Sequence, residues 1–324
     1  MTILVTGAAG FIGYHLSKAL LARGENVIGI DNLNDYYTPT LKHARLNLLK
    51  LHEDFEFHEL DIADHEALMG AVAHKKISTI VHLAAQAGVR YSLENPFAYT
   101  ASNLTGQVSV LELARHLKPE HLLYASSSSV YGANEKTPFS EEDRVDDPVS
   151  LYGATKKADE VMTSSYARLY QIPSTGFRFF TVYGPLGRPD MAYWIFTEKM
   201  LKGEPIDIFN NGEMGRDFTY VDDIVAGLIS AIDKPPSADE NHHRVFNLGN
   251  DQPEELMTLV GLLEQSLGIT AEKNFKGMQK GDVERTWADI SRARSILGYD
   301  PKTPLSDGIA KTIAWRKGLD APFA

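Results

Sequence analysis

Apolar residues along the chain fall into short runs separated by longer amphipathic stretches, and the order of the two kinds predicts the fold. Ile3, Leu4 and Val5 form a buried strand that runs into a glycine-rich turn, and Phe11 to Leu21 carries apolar residues at helical spacing. Asn26 to Ile30 is a second apolar strand, ending at Asp31. Strand, glycine turn, helix, strand and acid is the opening of a doubly wound α/β domain. The alternation continues through a strand near Phe55 to Leu60, a helix from His65 to Val72, a strand from Thr79 to Leu83, a helix around Leu104 to Leu117 and a strand from His121 to Ala125. Ala154 to Tyr170 then reads as a long helix and Ser174 to Phe180 as a further strand. Hairpin signals are almost absent between these runs, so the sheet is expected to be parallel.

After Tyr183 the texture changes. Gly184, Pro185, Gly187, Arg188 and Pro189 make an irregular passage before an aromatic helical stretch from Ala192 to Met200. The expected class is therefore α/β: a Rossmann-like doubly wound parallel sheet over residues 1–180, with a smaller, interleaved C-terminal substrate domain mainly over 181–324. Val221 to Ala231 is helical again, so the segment 212–245 is expected to return in part to the first domain, while Leu256 to Leu267 belongs to the smaller one. Lys234 to Glu240, with two prolines, is expected to be an exposed loop.

Composition narrows what such a fold can do. The 324 residues are 43% hydrophobic and 23% charged, enough to bury the cores of two compact units. The absence of cysteine excludes disulfides, thiolate metal sites and cysteine nucleophiles, and no metal is expected. A formal net charge of -11 argues against a nucleic-acid surface, and it means that an anionic ligand must be held by local arginines or backbone donors. The N-terminus reads as a first strand rather than a basic leader, and no apolar stretch approaches the roughly 20 residues of a membrane span, so a cytoplasmic location without membrane attachment is expected.

The turn after the first strand holds Gly7, Gly10 and Gly13, with Phe11 and Ile12 between the last two. The first glycine suits a tight turn; the others permit close approach of a pyrophosphate and of the following helix, whose N-terminus favours the anion. Asp31, followed by Asn32, ends the second strand where its carboxylate can accept from both adenosine ribose hydroxyls and repel a 2'-phosphate, which favours NAD over NADP. Asp61 with Ile62, and Leu83 with Ala84 and Ala85, follow later strands where sheet ends meet a bound dinucleotide. Taken one at a time, these positions also suit ordinary turns and loops.

The reactive candidates are Tyr152, Lys156 four residues later, and the serine run Ser126 to Ser129. On a helix the i,i+4 spacing puts phenol and ammonium on one face. The ammonium and a cationic nicotinamide favour loss of the phenolic proton near neutral pH. Ser127 can hold the oxygen of the reacting alcohol, Tyr152 can serve as acid and base, and Lys156 can orient the tyrosine while holding the cofactor ribose. The alternative is a packed aromatic, a solvated lysine and a polar loop.

The stretches GAAGFIG, HLAAQAGVRYSLENP, YASSSSVYG, YGATKKADE and RFFTVYGPLGRPDM resemble the extended short-chain dehydrogenase/reductase family of NAD-dependent epimerases and dehydratases, and within it the bacterial UDP-glucuronate 4-epimerases. GRDFTYVDDI and GDVERTWAD extend the likeness toward the C-terminus. The resemblance implies NAD-dependent oxidation and re-reduction at C4 of a UDP-hexuronic acid, in a homodimer. Arg188 is then the leading carboxylate ligand, because a planar guanidinium matches a carboxylate with two donors. Thr181 stands where UDP-galactose 4-epimerases usually carry an asparagine, and Ser127 and Ser128 complete the sugar contacts. Arg216, Asp282 and Arg285 fall at positions implied to hold the diphosphate and ribose, with an interdomain ion-pair network as the alternative. Ile208 or Phe209 could reach the uracil, whereas Tyr193, Trp194 and Phe196 are expected to pack the smaller domain. Ser129 occupies the place of a glutamate common in UDP-glucuronate decarboxylases, and the serine loop lacks the acidic pair of the 4,6-dehydratases, which weakens both of those readings. UDP-galactose 4-epimerase and a nonenzymatic dinucleotide sensor remain as competitors. An Asn-Leu-Thr sequon at Asn103 is read as incidental.

Overall fold

The computed structural model of the chain describes residues 1–279 and 281–319; residues 320–324, at the end of the expected C-terminal unit, lie outside the described residues, as does residue 280. The apolar runs become β1 (Thr2–Thr6), β2 (Asn26–Asp31), β3 (Phe55–Glu59), β4 (Thr79–His82), β5 (His121–Ser127) and β6 (Ser174–Phe179). Beyond Phe180 the chain forms β7 (Thr181–Tyr183), β8 (Ile206–Ile208) and β9 (Gly215–Tyr220), then β10 (His243–Leu248), β11 (Pro253–Glu255) and β12 (Lys273–Phe275). The main sheet has seven parallel strands in the order β10-β6-β5-β4-β1-β2-β3. Strand order reverses between β1 and β4, and the crevice at such a switch point is where ligands bind in doubly wound sheets.

Helices cover both faces of this sheet. They are α1 (Phe11–Ala22), α2 (Pro39–Leu49), α3 (His65–Val72), the short α4 (Tyr91–Glu94) and α5 (Pro96–Tyr99), α6 (Gly106–Leu117), α7 (Leu151–Tyr170), α8 (Ala192–Lys202), α9 (Val221–Ile232), α10 (Leu256–Leu267), α11 (Ser291–Leu297) and α12 (Leu305–Lys317). Alternate strand residues face opposite layers. Ile3, Val5, Val81, Leu123 and Phe177 pack in one cluster with Leu16 and Leu20 of α1 and Leu228 of α9; Leu4, Ile80 and Leu122 pack in the other with Val110 and Leu113 of α6. The first cluster continues into the smaller assembly through Leu259 and Ile309. There β7 pairs parallel with β9, and β9 with β11 is the antiparallel pairing among the described residues; β8 and β12 form a separate pair.

The apolar pattern did not reveal α2, β7 to β12, α11 or α12. In α2 the buried positions are Leu41, Lys42, Arg45, Leu46 and Leu49, so two of the five inward residues are cations. In β10 Arg244 and Asn247 are buried, and in β9 Asp217 and Thr219 are, so each strand reads as polar. Among the described residues no helix is long and apolar enough to cross a membrane.

Candidate active site

A cavity of about 850 Å³ opens where β1, β4, β5 and β6 end, between the main sheet and the smaller assembly. Gly7, Gly10, Phe11, Ile12, Gly13, Asp31, Asn32, Asp61, Ile62, Leu83, Ala84 and Ala85 line one end, and Ser127, Ser128, Tyr152, Lys156, Thr181, Arg188, Arg216 and Asp282 line the rest. Gly7 sits at φ +72°, and a Cβ there would stand 2.7 Å from the Ala84 nitrogen, so the turn abuts the end of β4 directly. A Cβ on Gly13 would collide with the Gly7 carbonyl, which is why the helix can start so close to the turn. The Asp31 carboxylate accepts from the amides of Ala9 at 3.1 Å and Leu33 at 2.9 Å, fixing it at the cavity edge. Burial pushes its carboxyl above the ordinary value, opposed by Lys42 and those two amides. Asn32 donates to Asp61 at 3.0 Å, tying the ends of β2 and β3 together. A backbone cradle with no room for side chains, flanked by an acid, fits the expected dinucleotide.

At the centre, α7 brings the reactive residues to the end of β5. Ser150 caps the helix by accepting from the Gly153 amide at 3.0 Å, which puts Tyr152 in the first turn. A Cβ on Gly153 would lie 2.5 Å from the Ser129 carbonyl, so this glycine lets the helix press against the serine segment. Lys156 donates to the Ala125 carbonyl at 3.1 Å and to Asp159 at 2.9 Å, one turn on. Both side chains are almost wholly buried, and burial raises the Asp159 carboxyl to about 6, with Lys156 pulling the other way. Glu160 accepts from Ser126 at 2.7 Å and from two nitrogens of Arg178 at 2.8 and 2.9 Å. Burial opposes the ionisation of Glu160, and Arg178 more than offsets it. The Ser127 hydroxyl oxygen accepts from the Ser129 amide at 3.2 Å. Thus Lys156 and Glu160, on one helix face, grip Ala125 and Ser126 and hold Ser127 in register with Tyr152.

Asp159, Glu160, Arg178 and Gly153 carry this arrangement, yet the sequence pattern did not single them out. Acids three and four residues after a buried lysine were the available signal. In the sequence Asn103 stands out only as part of a sequon, but it is 1% exposed and lies in a π-helical turn, Thr100–Thr105. It bonds Gln86 through both its amide groups and donates to Thr155 at 2.9 Å, linking the segment after β4 to α7.

The far end is built from side chains. Arg188 forms a two-point pair with Asp190, at 3.0 and 2.5 Å, and Tyr36 donates to the same carboxylate at 3.0 Å. The segment before Arg188 is held by Arg45, a fully buried guanidinium whose partners are the carbonyls of Leu186, Gly187 and Ala9 and the hydroxyl of Tyr37. Farther along, Arg90 reaches Asp282 at 3.4 Å and lies over the Phe209 ring, and the half-buried Arg216 feels both charges. Nothing in the spacing of the sequence points to Arg90, which lines the cavity. Arg285, expected to join Arg216 and Asp282, is absent from the cavity lining: it pairs with Glu255 and packs against Gly215. Phe209 lines the cavity, whereas Ile208 is core; Tyr193 and Phe196 are buried with their edges in the lining, and Trp194 packs behind them.

Several known proteins share this architecture. A UDP-glucuronic acid 4-epimerase from Bacillus cereus, solved with UDP-glucuronic acid and NAD, is 37% identical, with a TM-score of 0.89 over 98% of this chain and 99% of that one. A UDP-glucose 4-epimerase from Thermotoga maritima, solved with UDP-glucose, is 32% identical, with a TM-score of 0.88 over 98% and 99%. A probable UDP-glucuronate 4-epimerase of Rhizobium meliloti is 46% identical over 97% of this chain and 96% of its own length. The profile of the NAD dependent epimerase/dehydratase family matches residues 3–249, and together with the crevice and its contents this places the chain in that family.

Proposed function

We propose that the chain interconverts UDP-glucuronate and UDP-galacturonate by oxidation and re-reduction at C4 of the bound sugar. The observation that carries this reading is one cavity lined by the glycine cradle, by Ser127, Tyr152 and Lys156, and by Arg188 with Thr181. When bound, NAD would supply the redox chemistry, as hydride acceptor and then hydride donor at C4, with no net consumption. The turn from Gly7 through Gly10, Phe11, Ile12 and Gly13 would hold its pyrophosphate. Asp31 and Asn32 would hold the adenosine ribose, Asp61 and Ile62 would flank the adenine, Leu83 to Ala85 would lie along its backbone, and Lys156 would hold the second ribose. The cofactor-carrying domain is then residues 1–180 with part of 212–245, and residues 181–324 mainly bind the UDP-sugar.

Tyr152 takes the proton of the C4 hydroxyl while Ser127 holds its oxygen, and the proton is returned after the sugar has turned over in the cavity. The 4-keto uronate is a β-keto acid, so its carboxylate must be kept out of line with the ketone π system. Arg188, Thr181 and Ser128 do this by fixing the carboxylate. Arg216 and Arg90 receive the diphosphate and Asp282 the uridine ribose; Arg285, outside the lining, is left out of this set. A homodimer belongs to the same reading, supported by Phe97, Val161 and Leu169, which are 80%, 58% and 67% exposed on α5 and α7. Sedimentation at micromolar concentration giving only monomer overturns that part.

The decisive experiment is product analysis of the purified protein with UDP-glucuronate and, separately, UDP-glucose. Galacturonate formation without NADH accumulation is expected. Epimerisation of the neutral sugar alone assigns the chain to UDP-galactose chemistry, and release of carbon dioxide with a pentose product assigns it to decarboxylation.

A further inference from the structure

We infer that Asp190 and Tyr36 are positioning residues for the uronate carboxylate, acting through Arg188; this rests on the C4 epimerase reading above. A guanidinium presents two edges that can each match a carboxylate, one formed by Nε and Nη2 and the other by Nη1 and Nη2. Asp190 occupies the first, with Nε to Oδ1 at 3.0 Å and Nη2 to Oδ2 at 2.5 Å. Nη1 makes no hydrogen bond among the described residues, and Arg188, Asp190 and Tyr36 all line the cavity. The plane of the guanidinium is therefore set by an internal carboxylate, and its second edge is left for an external one.

Asp190 is itself held. The Tyr36 hydroxyl donates to Oδ2 at 3.0 Å, and that hydroxyl is pressed against Gly88, where a Cβ would stand 2.5 Å from it. The Gly88 segment is in turn fixed by Tyr99, which donates to the carbonyls of Ala87 and Gly88. The orientation of Arg188 thus depends on a chain of contacts that begins after β4 and crosses the cavity. Burial alone lowers the proton affinity of Arg188, but Asp190 outweighs it, and the phenols of Tyr36 and Tyr152 also act on the cation, so Arg188 lies within electrostatic reach of the acid–base centre.

A carboxylate docked on a fixed edge holds C6 in one place relative to the ring, and so keeps the O4–C4–C5–C6 torsion near the ketone plane. On a swivelling guanidinium C6 samples positions in which the C5–C6 bond stands perpendicular to that plane, aligned with the C4 ketone π system. The bond then breaks, carbon dioxide leaves, its electron pair becomes the C4–C5 enolate, and water protonates C5 to give a 4-keto pentose. A neutral hexose has no acceptor pair for the second edge, so it neither gains from nor depends on this orientation.

The test uses the NAD-loaded enzyme and the variants Asp190→Asn and Tyr36→Phe. In Asp190→Asn an amide nitrogen faces an arginine N–H, donor against donor, while the shape is kept. UDP-glucuronate binding, read by calorimetry, is expected to weaken about tenfold, and UDP-galactose binding to change by no more than about twofold. The share of pentose product per turnover is expected to rise. Tyr36→Phe removes one hydroxyl and is expected to act in the same direction by about two- to threefold, so it carries the test if the first variant does not fold. Equal weakening of the two ligands overturns the inference, as does tighter binding of UDP-glucuronate, which would make Asp190 a competitor of the substrate. A wild-type enzyme inactive on UDP-glucuronate instead overturns the epimerase reading on which the inference stands.

Discussion

At the cofactor end the cavity is built on the close-packed glycine turn Gly7, Gly10 and Gly13 against Ala84 and Ala85, with Asp31, Asn32 and Asp61 at its edge, whereas at the sugar end it is walled by the side chains of Tyr36, Arg90, Thr181, Arg188, Asp190, Arg216 and Asp282. Main-chain geometry is set by the turn and the sheet, and a single substitution outside the glycines alters it little. Side-chain geometry is set by pairs such as Arg188 with Asp190, and one substitution changes it. The comparison structures fit this division: one solved with a uronic acid substrate and one solved with UDP-glucose superpose on this chain almost equally well, at TM-scores of 0.89 and 0.88. The arrangement of strands and helices is therefore common to a relative solved with each sugar and does not by itself select between them.

If the two ends differ in this way, damage at them should show different selectivity. Tyr152→Phe, at their junction, is expected to lower turnover of every accepted sugar by about 10²- to 10⁴-fold while UDP-sugar binding persists. Steady-state kinetics paired with calorimetry checks it, and normal turnover would remove Tyr152 from the mechanism. Arg188→Ala is expected to lower kcat/KM for UDP-glucuronate by about 10- to 100-fold and to have a smaller effect on a neutral sugar. Equal losses would erase the distinction between the two ends. Arg45→Met leaves three buried carbonyls without their donor and is expected to cost about 3 kcal/mol of stability, measured by denaturant unfolding of the apo protein.

The smallest effect concerns Asp159. Burial, with Glu160 acting in the same direction, holds its carboxyl at about 6, against the pull of Lys156. A folded value raised above the unfolded one means that its contribution to stability is complete below about pH 4 and is lost as the pH rises through about 6. For activity the sign is opposite: below about pH 6 the carboxyl is protonated and Lys156 loses its charged partner. Turnover is expected to fall along that limb, and Asp159→Asn is expected to flatten it at a level about threefold to tenfold lower. A pH–rate profile for the variant with the same acid limb as wild type would separate Asp159 from Lys156.

The cofactor end was legible in the sequence because its requirements are local. Glycines at positions 7, 10 and 13 and an acid ending the next strand lie within one strand–helix–strand unit, where spacing alone determines who meets whom. Tyr152 and Lys156 were legible for the same reason, being one helical turn apart. The sugar end was legible only in part. Thr181 and Arg188 were reached through resemblance, while Tyr36 and Arg90 were not, because each meets its partner only after segments more than a hundred residues apart fold against each other; Asp190 stands two residues from Arg188, a spacing that does not by itself show a pair. Arg285 shows the converse: its neighbours in sequence suggested the cavity, but Glu255 holds it elsewhere. The hidden elements failed in another way. In α2 and β10 the inward residues include Lys42, Arg45, Arg244 and Asn247, and a pattern that equates inward with apolar passes over them.

Arg45 grips the carbonyl oxygens of Leu186 and Gly187, atoms that every amino acid possesses. Its hold on the segment leading to Arg188 is therefore indifferent to most side chains carried there. A lineage can exchange Thr181, Arg188 or Asp190 one at a time while the path of the main chain stays put. Each intermediate then keeps a formed pocket in which selection can act on the new ligand, and the fold can diversify in the sugars it accepts without passing through a broken ancestor.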